Sequence, residues 1–193
     1  MARPCGPRRR RCPRAGAGAP PRGYSHGVLA TAYLGVSTSL AIARSWLDGS
    51  QTGIGLALEG GVTATLTDSS VSGNGSAPPS QILPVGGRGI QVVGPSTLSV
   101  SGSTVSDNHD GGILVDNTSP AAASVTVTDS AIEGNGTNGV IYGNNTQGLV
   151  ARNVISGNGQ RGSRGATTGF NGVEIQGDGL GWSIPFRAVQ LPR

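Results

Sequence analysis

The residues best equipped for chemistry lie between positions 107 and 133. Asp107, His109 and Asp110 stand almost side by side, Asp116 follows shortly after, and Asp129 and Glu133 come one repeat later. Paired carboxylates can act as acid and base at a glycosidic bond, and clustered Asp and Glu oxygens can hold calcium. Asp107, Asp110 and Asp116 are therefore the candidate catalytic acids, and His109, Asp129 and Glu133 candidate binding residues. Asp also favours turns for its own backbone reasons, so each residue has a purely structural reading beside the chemical one. Trp46, in Trp46-Leu47-Asp48-Gly49, is a further binding candidate, an aromatic placed to cover an edge or touch a sugar. No metal site and no cofactor is expected, calcium at the acidic cluster excepted.

The elements that must position these residues form a repeat. With Leu47, Val71, Val105, Ile132 and Ile155 as the reference column, apolar pairs precede it at fixed offsets: Leu40/Ile42, Ala64/Leu66, Leu98/Val100, Val125/Val127 and Gly148/Val150. Ser45, Ser69, Ser103, Ser130 and Asn153 stand two residues before it; Ser50, Asn74, Asn108, Asn135 and Asn158 stand three after. A second strand then opens with Gly and a branched residue, at Gly53-Ile54, Gly89-Ile90, Gly112-Ile113, Gly139-Val140 and Gly172-Val173. Alternation places the apolar residues on one face and Ser or Thr on the other. Strands this short cannot bury a face alone, so successive copies must stack as a solenoid. Each copy thus reads as a strand, a polar corner at the Asn and a second strand. Asn74, Asn108, Asn135 and Asn158 are expected to form a structural ladder, each tolerating a left-handed corner and bonding the Asn above and below. Opposite charges one copy apart, Arg44 with Asp68 and Asp129 with Arg152, are expected to pair on the surface.

Over residues 27–178 this pattern resembles the right-handed parallel β-helix repeats of the pectin-lyase-like superfamily. The fold class implied is all-β, a right-handed parallel β-helix of about five to six rungs. The resemblance implies cleavage of acidic polysaccharides, by carboxylate hydrolysis or calcium-assisted β-elimination. The signatures of those enzymes are not reproduced, however. Trp46-Leu47-Asp48 is similar to the Trp-Ile-Asp-His of pectate lyases without its His, and their Arg-x-Pro-x-x-Arg element is missing. No Asp-Asp pair of polygalacturonase type occurs, and Ser25-His26-Gly27 only partly matches their Gly-His-Gly.

Residues 1–26 lie outside the repeat. They carry seven arginines, including Arg8-Arg9-Arg10-Arg11, and both cysteines, Cys5 and Cys12. Such a segment buries too little apolar surface to fold and is expected to be a disordered tail. Without it the net charge of +4 becomes −3, so the basic balance belongs to the tail. No specific nucleic-acid site is expected, and no run approaches the ~20 apolar residues of a membrane span. Insertions at 76–87 and 160–170 should loop out, and 179–193 should cap the solenoid or be unrelated to it. So few rungs suggest a fragment of a longer protein. A cysteine-free repeat is compatible with an exported bacterial protein. The function expected is a secreted or cell-surface module binding carbohydrate or another protein, with a polysaccharide lyase or hydrolase, or its inactive remnant, as the alternative.

Overall fold

The computed structural model describes residues 26–33, 36–50, 53–75, 87–159 and 172–176. The basic tail with its cysteines, the proline-bearing insertion, the loop at 160–171 and the C-terminal segment lie outside them. Among the described residues every regular element is a strand, and all strand pairing is parallel. The first coil holds β1 (His26–Thr31), β2 (Thr38–Ala43) and β3 (Trp46–Asp48). The second holds β4 (Ile54–Glu59), β5 (Val62–Thr67) and β6 (Ser70–Ser72), and the third β7 (Ile90–Val93), β8 (Thr97–Ser101) and β9 (Thr104–Ser106). The fourth holds β10 (Ile113–Asp116), β11 (Ala123–Thr128) and β12 (Ala131–Glu133), and the fifth β13 (Val140–Tyr142), β14 (Thr146–Ala151) and β15 (Val154–Ser156). β16 (Val173–Ile175) opens a sixth. Equivalent strands stack into three sheets, β1-β4-β7-β10-β13-β16, β2-β5-β8-β11-β14 and β3-β6-β9-β12-β15.

Each coil therefore has three strands where the sequence suggested two. The missed break falls at Arg44-Ser45, Asp68-Ser69, Gly102-Ser103, Asp129-Ser130 and Arg152-Asn153. The first residue of each pair takes a left-handed backbone, with φ between 46° and 56°. The second supplies a side-chain oxygen that accepts the backbone N–H of the equivalent residue one coil earlier, as Ser103 Oγ accepts from Ser69 N at 3.1 Å. The serine hydroxyl in turn donates to the carbonyl two residues before it, 2.7 Å for Ser69 to Thr67.

The Asn corner uses the same device, and here the left-handed expectation is corrected. The positive φ belongs to the residue before each Asn, Gly73, Asp107, Gly134 and Gly157, and before Ser50 in the first coil, Gly49, at 54–69°. The Asn itself turns inward. Asn74 Nδ2 donates to Asn108 Oδ1, Asn108 Nδ2 to Asn135 Oδ1 and Asn135 Nδ2 to Asn158 Oδ1, each at 2.9 Å. Each Nδ2 also donates to the reference-column carbonyl one coil back, and each Oδ1 also accepts a backbone N–H. Buried amides hold their place only when fully bonded, and these are.

Room for that column comes from a glycine at the start of the first-sheet strands. A Cβ on Gly89 would lie 2.6 Å from Asn108 Nδ2, and one on Gly112 would lie 2.5 Å from the Gly139 carbonyl oxygen and 2.9 Å from Asn135 Nδ2. In the second coil the equivalent residue is Gly55, not Gly53: β4 pairs Leu56 with Ile90, two residues away from the register the sequence suggested. Gly55 meets Asn74 Nδ2 in the same way, at 2.7 Å.

The interior is a stack of like residues, Leu56, Leu58, Leu66, Val71, Ile90, Leu98, Val105, Ile113 and Ile132 among them, each at most 1% exposed. One interior position departs from the column. Tyr142 is fully buried and fills space left by Gly148, whose Cβ would stand 2.4 Å from the phenol ring. Its hydroxyl donates to the Val125 carbonyl at 2.7 Å. Burial pushes the phenol above the ordinary tyrosine value. The unfolded chain ionises that phenol near pH ~10 and the folded chain resists. Stability is therefore intact below that pH and falls as pH rises beyond it. In urea titrations from pH 8 to 11, Tyr142→Phe should flatten this alkaline decline while losing about 1 kcal/mol at neutral pH from the unpartnered carbonyl.

Candidate functional site

The fold distributes the candidate acids over two corners and two sheet ends. Asp107, His109 and Asp110 share the corner between β9 and β10. Asp107 and His109 are exposed, the first in the left-handed conformation and the second held by its backbone N–H on the Asn74 carbonyl, 2.9 Å. Asp110 is half-buried and engaged: Arg88 Nε lies 3.3 Å from Oδ2, and Thr137 Oγ1 donates to Oδ1 at 3.1 Å. These contacts span three coils, and neither Arg88 nor Thr137 stands out in the sequence. Asp116 closes β10 at its far end, about 10 Å along the strand from that corner, beside Gly143.

Asp129 and Glu133 flank β12 rather than meeting. Asp129 is the left-handed residue of the Ser corner, and Arg152 grips it from the next coil, Nε to Oδ1 at 2.7 Å and NH2 to Oδ2 at 2.6 Å. The guanidinium holds this exposed carboxyl below the ordinary aspartate range. The other expected pair does not form. Arg44 and Asp68 make no ion pair, and the Asp68 carboxyl instead leans toward the next coil, with Oδ1 only 2.5 Å from where a Cβ on Gly102 would stand. Glu133 accepts a hydrogen bond from Ser156 Oγ, 3.1 Å, and its carbonyl accepts from Asp107 N, 3.1 Å. Among the described residues no three His, Cys, Asp or Glu side chains converge in a metal-holding group.

Two outer faces carry the remaining polar chemistry. On the third sheet Trp46, 81% exposed, heads a column that continues through Ser70 and Thr104, with Asp48, Ser72, Ser106 and Glu133 beside it. On the second sheet the register stacks Thr63, Thr97 and Ser124 in one outward column and Thr65, Ser99 and Thr126 in the next. A third column, Thr67, Ser101 and Thr128, borders the Ser corner. Thr63-x-Thr65-x-Thr67 was visible in the sequence; its alignment with two further strands required the register.

A family model described as "right handed beta helix region" matches residues 32–178 of the 193. No curated protein and no solved structure matches the chain.

Proposed function

The chain belongs to the right-handed β-helix family, and from that premise we propose that it is a non-catalytic binding module, secreted or displayed at a cell surface, whose third sheet takes a neutral polysaccharide. The observation that carries this reading is Trp46. A tryptophan 81% exposed on a paired strand, followed in its column by the hydroxyls of Ser70 and Thr104, suits the alternation of apolar faces and hydroxyl edges on a sugar. The charge nearby supports a neutral ligand. Asp48 and Glu133 line this face and Asp68 and Asp107 its corners; Arg44 adds one cation beside Trp46 and Arg152 is paired with Asp129, so the balance is acidic and disfavours polyuronates. Hydrolysis or β-elimination lacks comparable support. Asp110, Asp129 and Glu133 are each held by neighbouring coils, and Asp116 stands apart from Asp107.

Retardation of the full chain in gels containing soluble neutral glucans tests the reading. Retardation is expected, and Trp46→Ala should weaken it about tenfold, the loss of one stacked aromatic. Unchanged retardation of Trp46→Ala would move the site elsewhere. Retardation by polyuronates alone would reject the neutral ligand.

A further inference from the structure

We propose that the outer face of the second sheet binds ice. This face is distinct from the Trp46 face and independent of the reading above. Its six central positions, Thr63, Thr65, Thr97, Ser99, Ser124 and Thr126, all carry hydroxyls, and none of these makes a hydrogen bond to another described part of the protein. The contrast with the interior serines is informative: Ser69, Ser103 and Ser130 each donate to a carbonyl two residues back. The outer hydroxyls are left to water, and the sheet holds them in rows.

The rows repeat in two directions. Parallel neighbours in a sheet lie about 4.8 Å apart, and alternate residues along a strand about 6.6 Å apart. Water hydrogen-bonded tetrahedrally at an O···O distance of about 2.75 Å places second-neighbour oxygens about 4.5 Å apart, and its stacked layers repeat at about 7.3 Å. Both spacings of the protein therefore fall within about a tenth of those of ice. The stacked register keeps β5, β8 and β11 aligned without a bulge, so the match extends over three strands. The four threonines add methyl groups that displace disordered water between the hydroxyls. No charged or aromatic side chain interrupts the six positions. A charge would hold a hydration shell incompatible with the lattice, and an aromatic is what a sugar-binding face would need.

The test uses the full chain, with wild type, Thr65→Tyr/Thr126→Tyr and, on the first sheet, Gln91→Tyr. Thermal hysteresis and inhibition of ice recrystallisation are measured at matched concentration, and folding is checked by circular dichroism and the urea midpoint. Wild type and Gln91→Tyr should hold the freezing point below the melting point and keep ice grains small, and the double variant should lose both effects. Folded wild type without either effect would overturn the proposal. So would full activity in the double variant, or loss of polysaccharide binding in that variant, which would assign the face to carbohydrate. The Trp46→Ala result bears on neither ice measurement, so each reading can fail alone; only loss of polysaccharide binding in the double variant would reject both.

Discussion

Replacing Asn108 with alanine is expected to lower the unfolding free energy by about 3–5 kcal/mol, since several buried groups lose partners at about 1–3 kcal/mol each. Asn108 Oδ1 accepts from both the backbone N–H and Nδ2 of Asn74, and its Nδ2 donates to Asn135 Oδ1 and the Val71 carbonyl. Alanine strands the Asn74 N–H completely and leaves a polar cavity that nothing apolar can fill. A domain of ordinary stability holds only about 5–15 kcal/mol in total, so the effect should appear as a large shift in the urea midpoint. Position along the ladder provides an internal control. Asn158 is half-buried at one end, and Asn158→Ala should cost less than Asn108→Ala. At the other end Ser50 occupies the ladder position, and its buried hydroxyl has no partner among the described residues. Ser50→Asn would add a donor to Asn74 Oδ1 and should stabilise the fold by about 1 kcal/mol. Equal losses along the column would mean that the amides act as separate corner bonds rather than as a continuous ladder.

Gly112→Ala should be nearly as damaging, at about 3 kcal/mol, the upper part of the range for overpacked interiors. Its Cβ would meet the Gly139 carbonyl oxygen at 2.5 Å, Asn135 Nδ2 at 2.9 Å and Ile132 Cγ2 at 3.0 Å. The first contact is backbone, so relief requires moving a strand, and the second pushes on the ladder itself. Gly73→Ala separates this steric effect from a conformational one. Gly73 has φ of 63°, and a Cβ there meets nothing within 4 Å. Its cost should be only the left-handed penalty of about 1–2 kcal/mol. Urea midpoints for the two alanine variants, measured side by side, should differ accordingly; equal costs would mean that the strands give way around the added methyl and that space at position 112 is not limiting.

The interior was legible because it is periodic. The reference column and the two apolar columns before it appear in the structure in the register the sequence indicated, Leu98 with Val125 and Val105 with Ile132. The third strand of each coil was also signalled, by phase. Leu98 and Val100 are two apart and share a face, but Val105 lies five beyond Val100, an odd interval that one uninterrupted strand cannot bury on one side. A corner had to intervene, and the left-handed Gly102 provides it. The conformation of the Asn corner was harder to read, because Gly, Asp and Asn all tolerate positive φ and stand next to each other; only the inward hydrogen bonds decide which residue carries it. The acidic cluster was illegible for a different reason. Sequence proximity places Asp107 and Asp110 together, but Asp116 follows a strand that carries it to another corner, and the partner of Asp110 is Arg88, a full coil earlier. In a solenoid, lateral neighbours are about one repeat apart in sequence, so local clustering says little about convergence.

The most direct test of the binding-module account is depletion of the full chain from solution by insoluble neutral polysaccharide, with released sugar ends counted in the same supernatant. The account predicts depletion without release, and depletion about tenfold weaker in Trp46→Ala. Release of reducing ends, abolished by Asp107→Ala, would contradict it and make the β9–β10 corner a catalytic site.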